Sequence, residues 1–328
     1  MLCDELRAAV REGGMFARDR PVVVMLSGGR DSTCLLDVAV ALLGAGALTA
    51  LHVNYGLRED AAGDERHCRE LCERLGVEIE VVRAPATSPA AEGEAGNLQA
   101  WARELRYAAG TEIAERGDAL LATGHTASDQ VETILYRLAA SPGRRALLGM
   151  VAAEGRLIRP LLGMTREQTG AYCLERGLAW REDASNEDER FARARVRHGL
   201  LAALRAVHPA AESNVLRTAA LLREETELLE QLVSRELAGE QRIATARLGE
   251  LPAALARMVV VRLAESAAGT YVPQAGARVQ ELLALARRGG RAELHVGGRA
   301  GAVIENGFLR MVRLPPREGP AGKPPHGD

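Results

Sequence analysis

Lysine is almost missing from this chain: of its 42 Lys+Arg residues only Lys323 is lysine, and the rest are arginine. No residue in the body of the chain can therefore serve as a Walker-type phosphate lysine, a Schiff-base lysine or a kinase strand lysine. Aromatic residues make up only 3%, so the cores must be built from Ala, Leu and Val. Charge of one sign is not in excess, because 44 Asp+Glu leave a net charge of −2. That balance argues against an unspecific, all-over nucleic-acid binder but leaves room for a local basic face. There is no apolar run near ~20 residues and no secretory h-region, which predicts no membrane span and a cytoplasmic protein. No Cys-x-x-Cys occurs among Cys3, Cys34, Cys68, Cys72 and Cys173, which fits a reducing compartment. Cys68 and Cys72, with His67 beside them, form at most half of a metal site, and packing is the expectation for them.

What is present suggests about two domains at ~150 residues each. Hydrophobic residues at 47% are enough for real cores. Pro21 introduces the apolar run VVVML (22–26), then SGGRDS (27–32), then a helical stretch. Further strands are expected at 49–54, 77–84, 119–125 and 156–162, with helices near 61–75, 97–116, 128–139 and 165–176. Strands alternating with helices predict an α/β fold, a doubly wound parallel sheet. Beyond about residue 206 the pattern changes to a long amphipathic helix at 213–236, a helical region at 247–288 broken at 269–273, and an alternating β unit at 292–313. The expected organisation is a catalytic region 1–205, a helical connector 206–240, a small C-terminal α+β domain 241–314, and a tail 315–328 whose Pro/Gly content predicts disorder.

SGGRDS sits where an open α/β sheet binds ligands, past the carboxyl end of the first strand and at a helix N-terminus. Gly28 and Gly29 let the backbone approach an anion, and the helix amides and dipole favour phosphate. Ser27 and Ser32 add hydroxyl donors. Asp31 repels a bare phosphate, so its presence makes sense if it holds Mg²⁺ that bridges phosphates. The loop resembles the Ser-Gly-Gly-x-Asp-Ser loop of the PP-loop ATP pyrophosphatases. That resemblance implies cleavage of ATP to AMP and pyrophosphate, with adenylation of an oxygen atom that a nucleophile then displaces.

Further stretches narrow the resemblance to the tRNA(Ile)-lysidine synthetases. LHVNYGLRED (51–60), NLQAWARELRYA (97–108), GHTASDQVETILYRL (124–138), IRPLL (158–162) and WREDASNEDERFARARVRHGLL (180–201) are similar to that family's motifs, in order. The resemblance implies ligation of free L-lysine to C2 of the wobble cytidine of an AUA-reading tRNA(Ile) with a CAU anticodon. ATP and Mg²⁺ would be required, and a homodimer is the family's common state. It further implies that Ser27, Gly28, Gly29, Arg30, Asp31, Ser32, His52 and Arg159 hold the nucleotide. Asp129 and Glu132, at i, i+3 on one helix face, would bind lysine or take its proton. His125, at a strand end, would contact phosphate or the reacting base.

RNA should meet arginine, whose fork suits phosphate. Residues 190–205 carry Arg190, Arg193, Arg195, Arg197 and Arg205 with no acid. Arg58, Arg103 and Arg106 are further candidates for tRNA contact. The sequence departs from the family's pattern at Tyr55, Thr126 and Ser128, at the Ser141-Pro142-Gly143 turn, and at Ala194. Another PP-loop tRNA-modifying enzyme, or a non-catalytic tRNA-binding relative, stays open at this point. A thiolase, however, would want the Cys-x-x-Cys that is missing.

Overall fold

The computed structural model describes residues 2–16, 19–56, 60–84, 95–140, 143–182 and 192–315. Arg58, Arg190, the Ser141-Pro142 pair, most of the 85–96 loop, the Asp183–Asn186 motif and the tail from residue 316 lie outside them. Packing divides the chain into two units, Met1–Leu222 and Arg223–Asp328.

The first unit runs α1 (Leu2–Glu12), β1 (Val22–Met25), α2 (Arg30–Leu43), β2 (Leu48–Asn54), α3 (Ala61–Leu75), β3 (Glu78–Arg83), α4 (Ala95–Arg116), β4 (Leu120–Ala122) and α5 (Ala127–Ala140). It continues with α6 (Arg144–Leu147), β5 (Ala153–Glu154), β6 (Leu157–Ile158), α7 (Arg166–Glu175), α8 (Ala192–Arg195), a π-helical turn (Val196–Leu201), α9 (Ala202–Val207) and the start of α10 (Ala211–Leu237). The strand order is β3-β2-β1-β4-β6-β5, parallel except for the short antiparallel β5.

The apolar run of β1 is buried on both faces, as a central parallel strand requires. Val22, Val24 and Leu26 pack with residues of α1, α2, α3 and α7. Val23 and Met25 point the other way, toward Ala109, Ile113 and Ala114 of α4. The period of two thus gives one strand two cores. Behind α2 the carboxylate of Asp37, 1% exposed, ties three helices together. It accepts from Tyr172 Oη at 2.6 Å, from Arg176 at 3.0 and 3.2 Å, and from Arg7 at 3.3 Å. Burial works against its ionised form, but the Arg176 and Tyr172 hydrogen bonds prevail and hold it below the usual carboxylate range.

The chain leaves β1 toward β2 and β3, then returns to place β4 on the opposite side of β1. The crevice at such a reversal is where open α/β sheets bind ligands. Both the 26–29 loop and the 123–126 segment open onto it.

The expected strand at 156–162 is much shorter in the structure. Only Leu157–Ile158 pairs, because the chain turns at Arg159 and Pro160: Leu162 N–H bonds Arg159 O, and Met164 N–H bonds Leu161 O. The second unit contains the rest of α10, β7 (Arg242–Ala244), α11 (Thr245–Glu250), α12 (Ala253–Ala268), a 3₁₀ turn (Pro273–Arg278), α13 (Val279–Arg288), β8 (Ala292–Gly297), β9 (Ala300–Glu305) and β10 (Phe308–Arg313). Its antiparallel sheet, β7-β10-β9-β8, packs on α12 and α13 through Val259, Leu263, Leu282, Ile304 and Leu309. β7 is too short to show a period and was not expected from the sequence.

Candidate active site

The loop after β1 is held in shape by its own two serines. Ser27 and Ser32 hydroxyls lie 3.0 Å apart, and Ser32 donates to Gly29 O at 2.9 Å. Gly29 N–H reaches Ser27 Oγ at 3.3 Å. Gly28 has φ +83°, and a Cβ there would meet Cys68 Sγ at 3.2 Å, so the chain can pass this point only as glycine. Gly29 is the N-cap of α2 and brings no side chain to the helix amides. From the opposite side Arg181 N–H bonds Gly28 O at 2.9 Å, while the Arg181 guanidinium pairs with Asp60 and Asp64.

Beneath the loop, His52 is 4% exposed and its Nδ1 lies 3.0 Å from Leu26 O. His52, expected to touch nucleotide, instead supports the loop backbone, because its position on β2 faces the core. Cys68 Sγ sits 3.3 Å from the same nitrogen, and burial pushes the Cys68 and Cys72 thiols up to about 12. They are packing residues. All five cysteines are buried, and among the described residues no three His, Cys, Asp or Glu side chains are placed to hold a metal together.

Asp31, at the start of α2, accepts from Thr169 Oγ1 at 2.5 Å and from Arg30 Nε at 3.3 Å. Its other oxygen lies 3.7 Å from Arg166 Nε. Arg166 also reaches Asp129 at 3.0 Å and Glu132 at 3.3 Å. One guanidinium thus joins three carboxylates, from α2 and α5. Arg166 escaped the sequence reading, since nothing in its spacing distinguishes it from a solvated helix residue.

Asp129 is oriented by its own helix, accepting Thr126 N–H at 2.8 Å and Thr126 Oγ1 at 2.9 Å. Burial opposes its ionisation, yet Arg166 and Thr126 hold its carboxyl below the ordinary range. Glu132 is 1% exposed and takes a two-pronged contact from Arg197, at 2.7 and 3.1 Å. Arg197 was expected to meet RNA. It turns inward because the π-helical turn carrying it packs on α5 through Val196, Leu201, Val131 and Leu135.

The departures from the family pattern have structural uses. Thr126 caps Asp129. Ser128 accepts the Arg166 backbone N–H at 3.2 Å. Tyr55 donates to Ala102 O at 3.1 Å and its ring lies 6.2 Å from that of Trp101. Ala194 is buried.

Another side of the site is cationic. Arg159 is 5% exposed; it donates to Val151 O at 2.6 Å, and its Nε is buried with no partner among the described residues. Arg103 and Arg106 lie over the Tyr107 ring at 4.6 and 5.8 Å. Burial, then Arg159, Arg193 and Arg103, push His125 down to about 4 against the opposing pull of Asp129. His125 is therefore neutral near pH 7, with Thr123 Oγ1 2.8 Å from its Nδ1. The structure thus gathers His125, Arg103, Arg159 and Arg193 at one place, although they are distant in sequence. Arg193 and Arg195 are exposed. Gly124, also missed, lets the end of β4 lie against the start of α2: a Cβ there would meet Asp31 O at 3.0 Å and Ser32 N at 3.1 Å.

The residues fit a nucleotide triphosphate with Mg²⁺. Two glycines clear the approach, an uncapped helix end offers amides, and the buried Arg159 Nε has no partner among the described residues. One carboxylate beside phosphate oxygens is the usual Mg²⁺ arrangement.

Comparisons with known proteins agree with this geometry. A family model described as a PP-loop domain matches residues 4–204. The chain is 40% identical over 225 residues to a tRNA(Ile)-lysidine synthase of Pseudomonas syringae pv. tomato, covering 66% of this chain and 49% of the relative. It is 37% identical over 267 residues to the tRNA(Ile)-lysidine synthase of Solibacter usitatus, covering 78% of this chain and 59% of that one. The chain thus spans about half the length of the curated relatives it matches. Among solved structures, a U34-tRNA thiolase of Methanococcus maripaludis superposes with TM-score 0.57 at 18% identity, over 68% of this chain and 79% of that one, which shows a shared fold. No helix among the described residues is long and apolar enough to cross a membrane. With the loop geometry and a match over residues 4–204, the chain belongs to the PP-loop domain family.

Proposed function

We propose that the chain carries out ATP-dependent ligation of L-lysine to C2 of the wobble cytidine of a tRNA(Ile) with a CAU anticodon. The observation that carries this reading is the juxtaposition, across one crevice, of the loop after β1 with the carboxylate pair Asp129 and Glu132, joined through Arg166. A loop for ATP alone does not need Asp129 and Glu132 fixed opposite it. An amine substrate does, because its ammonium must be neutralised and must lose a proton before it attacks.

Ser27, Gly28, Gly29, Arg30 and Ser32 bind the phosphates through the loop amides and hydroxyls, and Asp31 holds Mg²⁺. ATP supplies an adenylyl group that makes the C2 oxygen of the base a leaving group. Arg159, whose Nε has no partner among the described residues, orients phosphate. Neutral His125 donates or accepts a hydrogen bond at the base or phosphate without adding charge. Asp129 and Glu132 bind the lysine, orient its amine and take its proton. Arg103, Arg106, Arg193 and Arg195 contact the tRNA backbone, together with the small C-terminal domain at 241–314, which the connector 206–240 joins to the catalytic region 1–205.

The test is incubation with ATP, Mg²⁺, radiolabelled lysine and tRNA(Ile). Label should enter the RNA, with AMP and pyrophosphate release requiring both lysine and tRNA. Equal release without tRNA would sink the proposal.

A further inference from the structure

We infer that Arg166 is the resident counter-ion of the amine pocket, an internal cation standing where the ammonium of the amino-acid substrate binds, so that loading exchanges one cation for another. The inference rests on the reading of Asp129 and Glu132 as the amine pocket and deepens it.

Three features make Arg166 the exchangeable member. First, the carboxylates do not depend on it for their orientation. Asp129 is fixed by Thr126 N–H and Oγ1, and Glu132 by the fork of Arg197. Withdrawal of Arg166 leaves both in place. Second, the Arg166 side chain is 22% exposed whereas that of Glu132 is 2% exposed, so the guanidinium reaches solvent where that carboxylate does not. Third, Arg166 is the first residue of α7, just after the Thr165 cap. A cation at a helix N-terminus is disfavoured by the helix dipole. Its side chain is therefore held by the carboxylates and not by its own helix.

Competition from an internal group lowers the apparent affinity of a ligand by the fraction of pocket left open.

The experiment is calorimetric binding of free L-lysine to the full chain with a non-hydrolysable ATP analogue and Mg²⁺, with L-norleucine, which lacks only the side-chain ammonium, as the control. Arg166→Lys keeps a positive charge but cannot bridge Asp129 and Glu132 as a fork does. It should bind lysine about threefold to tenfold more tightly than the unaltered chain. Arg166→Gln should do the same. It should also show a larger lysine-induced rise in melting temperature, because the ligand then supplies the missing cation. Norleucine should give no response. Unchanged or weaker lysine binding in Arg166→Lys overturns the inference, as a purely structural Arg166 would predict. Glu132→Gln separates the two levels. If it weakens lysine binding while Arg166→Lys also weakens it, the exchange alone is wrong. If it leaves lysine binding unchanged, the pocket reading fails and the inference with it.

Discussion

Arg197 and Glu132 form a two-pronged ion pair, at 2.7 and 3.1 Å, between a π-helical turn and the centre of α5. The carboxylate end is almost fully buried and the guanidinium end is about a quarter exposed. Arg197→Met should therefore strand a buried charge. Breaking one side of such a pair usually costs ~3–5 kcal/mol. Because Arg166 stays 3.3 Å from Glu132, the lower end, about 3 kcal/mol, is expected. Urea denaturation should show a lower midpoint at unchanged slope, and Arg197→Met with Glu132→Gln should recover part of the loss.

Gly124 brings the end of β4 against the phosphate loop. Gly124→Ala pushes a methyl group into the Asp31 and Ser32 backbone, which has no flexible side chain to give way. Overpacking of about 1–3 kcal/mol should appear mainly as weaker ATP binding and a higher KM for ATP. Lysine binding should be less affected, since Asp129 and Glu132 lie on α5.

His125 makes stability depend on pH. Its ordinary value is 6.5 and in the folded chain it falls to about 4, chiefly through burial and then the surrounding arginines. Between those values the unfolded chain binds the proton that the folded chain refuses. Stability from this group is present above pH 6.5 and is lost as pH drops toward about 4. Denaturation curves across that window should be less pH-dependent in His125→Gln. An equal dependence in both proteins would assign the acid sensitivity to other groups.

Asp31→Ala separates binding from turnover. It removes the proposed Mg²⁺ contact but not the arginine face formed by Arg103, Arg106 and Arg193. Turnover should be abolished while tRNA affinity, measured by filter binding, stays close to that of the unaltered chain. Parallel loss of tRNA affinity would place Asp31 in the RNA interface.

The parts of the site legible in the sequence share one property: their chemistry is local. SGGRDS reads as a phosphate loop because glycine, serine and aspartate act within a single turn. Asp129 and Glu132 read as a pair because a helix puts i and i+3 on one face. His52 misled because a polar residue in a motif is indistinguishable, in one dimension, from a polar residue supporting that motif from below. Arg197 misled because a basic run normally lies on a solvated face, and only the packing of Val196 and Leu201 on α5 turns it inward.

By itself the sequence determined the alternation of strands and helices, the loop after β1, the acidic pair on α5 and the change of character beyond residue 206. Each follows from periodicity or from contacts within a few residues. Tertiary structure alone decided which arginine meets which acid. Arg166 joins carboxylates from α2 and α5 only because the sheet reverses its order between β1 and β4 and α7 returns beside both. In a chain whose cations, save Lys323, are all arginine, composition cannot say which guanidinium neutralises a buried acid and which faces solvent. That choice is made by desolvation, which the fold imposes residue by residue.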